Sequence, residues 1–157
     1  FGFETYAVAT TQEEVGLRGA TTSAFDVSPD VGIALDLTLA VDIPGVPDHE
    51  KVTDLGGGAA IKIQDSSFIS HPGLVACFKD LAKKRKIKHQ MEILPRGGTD
   101  AGGIQRIRGG VPAITLSIPS RYVHTSIELV HRKDVEAVVK LLTAFIEEGD
   151  TADLQLV

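Results

Sequence analysis

The chain has 157 residues, a formal net charge of −5 and a sequence isoelectric point near 5.5. That length, with 43% hydrophobic residues, fits one domain with a substantial core. The acidic balance argues against nucleic acid or an anionic membrane as a partner. No apolar run approaches the about 20 residues that cross a bilayer. The single cysteine, Cys77, excludes an internal disulfide, and these features together predict a cytoplasmic protein.

The first predicted strand is followed by two adjacent carboxylates. The apolar run from Thr5 to Thr10 is typical of a short buried strand, and Glu13 and Glu14 come directly after it. Carboxylates at the C-terminal end of a parallel strand lie where open α/β sheets bind their ligands. Because adjacent residues point in different directions, one carboxylate can bind a metal while the other handles a proton. Two solvated loop carboxylates are the alternative interpretation.

The next segments predict a helix and a second strand. Gly16 to Phe25 has helical character, and a turn at Ser28 to Asp30 closes it. The run from Val31 to Ala40 is almost wholly apolar, as in strands buried on both faces. Asp36 interrupts that run, and a carboxylate there must be paired, hydrogen-bonded or bound to a cation. Asp36 is therefore either a metal ligand or a structural group that holds neighbouring loops.

The middle of the chain predicts a surface loop, a strand, a helix and an edge strand. Pro44 to Asp54 is polar and turn-rich, as surface loops are. Leu55 to Ile63 places three glycines before a strand, which we interpret as close backbone packing because no Lys-Ser/Thr pair completes a phosphate loop. His71 to Arg85 predicts a helix with Pro in its first turn. Lys88 to Leu94 alternates as an edge strand does.

A glycine-rich loop and a histidine follow the last two long strands. Pro95 to Ile104 places glycines before a helix start, where backbone N–H groups can hold a carbonyl or carboxylate. Val111 to Ile118 is another buried strand, and His124 comes after its C-terminal end. The remaining predicted elements are a short strand at Ile127–Val130, an amphipathic helix at Asp134–Glu147 and a loose tail at Thr151–Val157.

Strands that alternate with helical segments predict an α/β fold: a mostly parallel sheet with helices on both faces. In such a sheet Glu13, Glu14 and His124 follow strands, Asp36 lies within one, and all four are expected to converge on the same sheet edge. Carboxylates and an imidazole that converge in this way favour a metal site.

Several segments together resemble a known family. These are Gln12–Gly16, Asp36 within its strand, Arg96–Ala101 and Arg121–Thr125, in the same order and spacing. They resemble the dinuclear metallo-aminopeptidases that assemble into tetrahedral (TET) particles. That family includes glutamyl and deblocking aminopeptidases, and its members have often been mislabelled as endoglucanases.

The resemblance implies a zinc-exopeptidase-like fold and an aminopeptidase that hydrolyses N-terminal residues of peptides. Two divalent metal ions, zinc or cobalt, would activate the attacking water. Glu13 would be the general base, and Glu14, Asp36 and His124 would be metal ligands. The substrate-binding residues that the resemblance implies are Arg96, Gly97, Gly98, Thr99 and Asp100.

The resemblance begins after the family's first metal ligands. Family members carry, further upstream, a ligand histidine, a supporting aspartate and an aspartate that bridges both metals, with an inserted dimerisation domain between them. Nothing before Phe1 supplies these groups. We therefore expect residues 1–157 to be the C-terminal part of a catalytic domain, truncated at its N-terminus and inactive alone. The resemblance also implies a homo-oligomer, a dodecamer of dimers in the full-length family.

Two other functions remain open at this stage. One is a non-catalytic α/β module whose acidic pair makes surface contacts. The other is a related metal-dependent carboxypeptidase or deacylase, which would need an arginine to bind the substrate carboxylate. Arg96 or Arg121 would serve in that role.

Overall fold

The computed structural model describes residues 2–149, 152 and 154. Its helices are α1 (Arg18–Val27), α2 (Pro72–Lys84), α3 (Asp100–Gln105) and α4 (Arg132–Glu148). Its strands are β1 (Gly32–Leu39), β2 (Ala59–Gln64), β3 (His89–Ile93), β4 (Ala113–Arg121) and β5 (Leu129–Val130), with 3₁₀ turns at Glu13–Val15 and Asp48–Glu50. None of the helices in the described part of the chain has the length and apolarity that a membrane span requires. The predicted tail, Thr151–Val157, lies outside the described residues except for 152 and 154.

The sheet has the strand order β1-β4-β2-β3, and β5 pairs with β4. β1 runs parallel to β4 along its whole length, and β2 runs parallel to β3. Short antiparallel contacts join β2 and β5 to β4. The sheet is thus mostly parallel, as the sequence predicts. Because β1 and β4 are parallel, both strands run toward the end of the sheet at which the loop that carries His124 begins. Asp36 pairs with Ser117 in the middle of β1, rather than at that end.

One face of the sheet is covered by α2 and α4. Leu74, Phe78 and Leu141 are fully buried there, against the apolar residues that β2 and β4 direct toward these helices. The Phe78 and Phe145 rings stack with centroids 4.7 Å apart, which joins the two helices. The helices predicted from His71 and from Asp134 are confirmed, with boundaries shifted by one to two residues.

The other face is covered by α3, on which α1 packs. Ala101 of α3 contacts Ala34 of β1 and Ala113 of β4, so small residues allow a close approach of helix and sheet. The neighbouring residue Ile114 faces α2 and α4 instead, which is the alternation expected along a strand. Helices on both faces of the sheet are therefore confirmed.

The strand predicted from Thr5 to Thr10 is wrong. These residues have no strand assignment, and the side chains of Tyr6 and Val8 are 59% and 50% exposed. A strand requires a neighbouring strand for its backbone hydrogen bonds and an apolar surface for its side chains. This segment has neither among the described residues, and the Tyr6 hydroxyl instead donates to Glu4 Oε1 at 2.9 Å.

The expectation that β1 is buried on both faces is also wrong. Leu35 is 54% exposed because β1 is the outer strand of the described sheet and α4 packs over β2 and β4. The interpretation of the glycines before β2 is confirmed. A Cβ atom on Gly58 would lie 2.2 Å from the carbonyl oxygen of Lys88, so the backbones of these two segments are in direct contact.

Candidate metal centre

The two adjacent glutamates lie on a 3₁₀ turn, Glu13–Val15, that leads into α1. The turn is closed by the amides of Gly16 and Leu17, which donate to the Glu13 carbonyl at 3.1 and 3.0 Å. Gln12 before the turn and Leu17 after it have φ values of 59° and 56°, in the left-handed region. Such a conformation costs a non-glycine residue about 1 kcal/mol or more, and it accumulates at functional sites. The turn is thus held in a defined, strained shape.

Hydrogen bonds tie the segment before this turn to α1 and α3. The amide of Gly19 donates to the Thr11 carbonyl at 2.9 Å, and a Cβ atom on Gly19 would lie 2.4 Å from that oxygen. The Thr10 hydroxyl donates to Asp100 Oδ2 at 2.6 Å. The other oxygen of Asp100 is buried without a hydrogen-bond partner among the described residues. Asp100 therefore anchors the glutamate turn and adds an unneutralised carboxylate oxygen beside it.

His124 lies in the loop that follows β4. Its φ is 63°, and Tyr122, two residues earlier, has a φ of 61°, so this loop is strained as well. The His124 amide donates to Glu128 Oε1 at 2.6 Å. Its Nε2 lies 3.0 Å from Glu14 Oε1, and both side chains are 71% exposed. Two of the predicted metal ligands are thus in direct contact at the surface.

Asp36 is half-buried in β1, and its Oδ1 accepts a hydrogen bond from the Leu37 amide at 2.8 Å. Burial raises the pKa of Asp36, and the carboxylates of Asp100 and Glu14 act in the same direction. The Leu37 amide and the Lys62 ammonium lower it and offset part of that effect. The third predicted ligand is therefore fixed to a strand rather than to a loop.

Glu13 is half-buried and has the most perturbed carboxyl group of the site. Burial, together with the carboxylates of Asp36, Asp100 and Glu14, raises the pKa of Glu13 to about 7. The nearby His124 acts in the opposite direction. A carboxyl group with a pKa near 7 can both take and give a proton at neutral pH, which general acid–base catalysis requires.

The donor types in this cluster fit a divalent cation. Carboxylates and one imidazole suit zinc and related metals. A cation would offset both the burial and the neighbouring carboxylates, which together raise the pKa of Glu13 and Asp36. However, too few of these side chains lie close together to supply the four ligands of a complete zinc site. Among residues 2–149, 152 and 154, no three His, Cys, Asp or Glu side chains are already grouped to hold a metal ion. Among the predicted ligands, Glu14 and His124 are the two whose side chains are already in contact.

The glycine-rich loop before α3 is fixed to the segment after β2. The Gly97 carbonyl accepts from the Ser66 amide at 3.0 Å and from its hydroxyl at 2.7 Å. Thr99 does not cap α3 with its side chain; the hydroxyl donates to Asp65 Oδ2 at 2.8 Å and lies 2.7 Å from that of Thr115. Arg96 is exposed and Thr99 is buried. The predicted substrate-binding role of residues 96–100 stays a prediction.

Two polar contacts near the site are not predicted by the sequence patterns. Arg121 donates from Nε and Nη2 to the two oxygens of Asp42 at 2.7 and 3.0 Å, so this pair braces the end of β4 against the loop after β1. Lys62 and Glu92 form an ion pair that is almost completely buried on the same sheet face as Asp36. A charged residue in the apolar run of β2 was the available signal for the second feature.

The chain matches the M42 glutamyl aminopeptidase family over residues 2–141. A curated relative, a putative aminopeptidase of Acetivibrio thermocellus, is 46% identical over 143 residues, which are 91% of this chain and 43% of that protein. An aminopeptidase structure from the archaeon Desulfurococcus kamchatkensis superposes with a TM-score of 0.87 at 46% identity, covering 89% of this chain and 40% of that one. A TET1 peptidase of Pyrococcus horikoshii, described as able to assemble into a tetrahedron or a large octahedral shell, gives 0.74 at 34% identity, covering 87% and 38%.

Fold and sequence together place the chain among proteins that are named aminopeptidases and share this α/β sheet. Within that class, the chain belongs to the M42 glutamyl aminopeptidase family, and the resemblance seen in its sequence is confirmed. The chain spans about 40% of the length of the relatives it matches.

Proposed function

We propose that the whole protein is a metal-dependent aminopeptidase that removes N-terminal residues from peptides through water activated by two metal ions. The observation that carries this proposal is the position of Glu13. Its carboxyl group is half-buried, and burial together with the charges of Asp36, Asp100 and Glu14 raises its pKa to about 7, in a chain of an aminopeptidase family. A solvated loop carboxylate would have an ordinary pKa and no such neighbours.

Glu14, Asp36 and His124 are the residues of this chain that would hold the metal ions. Glu14 and Asp36 would bind separate ions, and His124, 3.0 Å from Glu14, would complete one of the two sites. A pair of divalent ions, when bound, supplies a water of lowered pKa and polarises the scissile carbonyl. Zinc or cobalt suits the mixed carboxylate and imidazole donors.

Glu13 would move the proton in this reaction. Its carboxylate takes a proton from the attacking water and returns it to the nitrogen of the leaving peptide. Thr10 and Asp100 support this role, since their hydrogen bond holds the segment from which Glu13 projects. The loop of residues 96–100, fixed through Ser66 and Asp65, would border the substrate.

The contacts of this chain support a carboxypeptidase or deacylase less well than an aminopeptidase. Both oxygens of Asp42 engage the Arg121 guanidinium, so Arg121 is not free to bind a substrate carboxylate. Arg96 is exposed and remains the candidate for such a role. A free α-amine on the substrate, bound by a metal ion or an acidic group, would restrict cleavage to the first residue.

We also propose that the whole protein forms a homo-oligomer and works in the cytoplasm. A related peptidase is described as assembling into a tetrahedron or an octahedral shell, and apolar residues of β5, Leu129 and Val130, are exposed on this chain. The lone cysteine, half-buried with its thiol pKa raised by burial, fits a reducing compartment.

The test is hydrolysis by the full-length gene product of an aminoacyl substrate with a free amine, next to the same substrate with an acetylated amine. We expect turnover of the free-amine substrate only, loss of it with a chelator, and recovery with zinc or cobalt. Equal turnover of both substrates, or turnover that a chelator leaves unchanged, would overturn the proposal.

The 157-residue chain alone is expected to show no metal-dependent aminopeptidase turnover. Glu14, Asp36 and His124 would be divided between two ions, which leaves each with too few ligands for tight binding. Calorimetric titration with zinc should accordingly give weak binding or none. Robust hydrolysis of a free-amine substrate by this chain, abolished by a chelator and restored by metal, would contradict this prediction.

A further inference from the structure

Lys62 and Glu92 place a pair of opposite charges inside the domain, on the sheet face that carries Asp36. The two residues are register neighbours on β2 and β3, and their side chains are 0% and 1% exposed. Lys62 Nζ bonds Glu92 Oε1 and lies 4.0 Å from Asp65 Oδ2. Removing two charges from water is so unfavourable that such a pair contributes little net stability. Stability alone is therefore a poor explanation for this pair.

The pair is connected to the strand that carries Asp36. Glu92 Oε1 also accepts a hydrogen bond of 2.5 Å from the hydroxyl of Thr38, which is 2% exposed. Thr38 lies two residues after Asp36 on β1, so the two side chains share one face of the strand. Glu92 thus links the far side of the sheet, β3, to the strand that holds a predicted metal ligand.

The sheet face around Asp36 is polar beyond what the fold requires. Ser117 lies opposite Asp36 in the register of β1 and β4 and is fully buried. Its hydroxyl and the second oxygen of Glu92 have no hydrogen-bond partner among the described residues. Buried polar atoms without partners are rare, and they concentrate where a structure serves a function other than stability.

We propose that Glu92 is a positioning residue for the metal centre: held by Lys62, its carboxylate fixes the Thr38 hydroxyl and thereby the face of β1 that presents Asp36. This inference rests on the proposed function, since it concerns how Asp36 is presented to a metal ion. The hydrogen bond restricts the backbone two residues from the ligand. A ligand whose position is fixed before binding loses less conformational freedom on binding the metal.

The variant that tests this is Thr38→Val in the full-length protein. Truncation of Glu92 itself would leave the Lys62 ammonium buried without its main partner, which can unfold the domain. Thr38→Val keeps the shape of the side chain, leaves the ion pair in place and removes the hydrogen bond alone. Thr38→Ser restores a hydroxyl and serves as the conservative rescue. Thr115→Val is the matched control, because Thr115 is also buried on this sheet face but bonds Thr99 rather than Glu92.

The readouts are the cobalt dissociation constant, from competition with a chromophoric chelator, and the visible absorption spectrum of the bound cobalt. We expect Thr38→Val to weaken cobalt binding about fivefold and to change the spectrum. That loss is smaller than the roughly 10- to 100-fold typical of a direct partner of a metal ligand. Thr38→Ser and Thr115→Val should both stay within about twofold of the unaltered protein.

Unchanged cobalt affinity and spectrum in Thr38→Val would overturn the inference while leaving the proposed function intact. An equal loss in Thr115→Val would also overturn it, because any buried hydroxyl would then have the same effect. Absence of cobalt binding in the unaltered protein would instead refute the proposed function, and the inference with it.

Discussion

The predicted metal ligands come from two differently built regions. Asp36 is half-buried in the middle of an eight-residue strand. It shares a sheet face with the buried, hydrogen-bonded side chains of Thr38 and Glu92. Glu14 and His124 lie on a short turn and a loop, mostly exposed, and both segments contain residues with left-handed backbone conformations. The sheet therefore fixes Asp36 before any metal binds. The positions of Glu14 and His124 depend instead on strained loops and on their contact with each other.

The largest effect is expected from a change that separates proton transfer from metal binding. Glu13→Gln in the full-length protein should lower turnover at least about 100-fold, because the general base is lost. Metal content by elemental analysis should remain close to that of the unaltered protein, since Glu13 is not a predicted ligand. Parallel loss of metal and activity would place Glu13 in the coordination shell instead.

The comparison of regions is tested directly by removing one ligand from each. Asp36→Asn should weaken zinc binding at least about 100-fold, because the residue binds the metal directly and the strand holds it in place before binding. His124→Ala should weaken zinc binding about tenfold. The carboxylate of Glu128, which accepts a hydrogen bond from the amide of residue 124, is a substitute metal ligand in the same loop. Zinc competition assays on the two variants would measure both values. Equal losses, or a larger loss for His124→Ala, would contradict the idea that the strand carries the more firmly fixed ligand.

The fold and the candidate site differ in how far they could be read from the sequence. The apolar runs of β1 and β4 and the helical spacing of Leu74, Phe78 and Leu81 predict these elements because each pattern reflects local burial. The segment from Thr5 to Thr10 has the same kind of pattern, yet it forms no strand, because pairing depends on a neighbour that local sequence does not specify.

The supporting contacts of the site were beyond the reach of sequence patterns. Glu92 meets Thr38 across two intervening strands, and no spacing along the chain encodes that contact. Lys62 is detectable in the sequence, since a charge within the apolar run of β2 needs a partner, as Asp36 does in the run of β1. The partner itself becomes visible only in the folded sheet.

A smaller effect is expected from the ion pair that braces the loop of His124. The Arg121 guanidinium lowers the pKa of Asp42, so the stabilisation is present above the unfolded pKa of an aspartate, about 3.9, and is lost as pH falls through the lower folded value. Asp42→Asn should lower the melting temperature at pH 7 by roughly 2–4 °C. The difference from the unaltered chain should shrink in acid. A melting temperature unaffected at pH 7 would show that the brace contributes nothing to stability.

The smallest effect concerns the metal-free chain. Glu13 has a pKa of about 7 in the folded state, against its usual value near 4.5, so the folded state binds more protons between these two values. The free energy of unfolding should therefore fall as pH rises from about 4.5 to about 7, and the raised pKa of Asp36 acts in the same direction. Glu13→Gln should flatten this slope and raise the melting temperature at pH 8 by about 2 °C. A slope that is the same in both proteins would contradict the assigned pKa.

The central claim, that Glu14, Asp36 and His124 hold metal ions beside Glu13, is tested most directly by anomalous diffraction from zinc-loaded crystals of the full-length protein. We expect two zinc peaks about 3.5–4 Å apart, one bound by Asp36 and the other by Glu14, with His124 on one of them and Glu13 on neither. Zinc peaks at other residues, or none at these carboxylates at full zinc occupancy of the crystal, would contradict it.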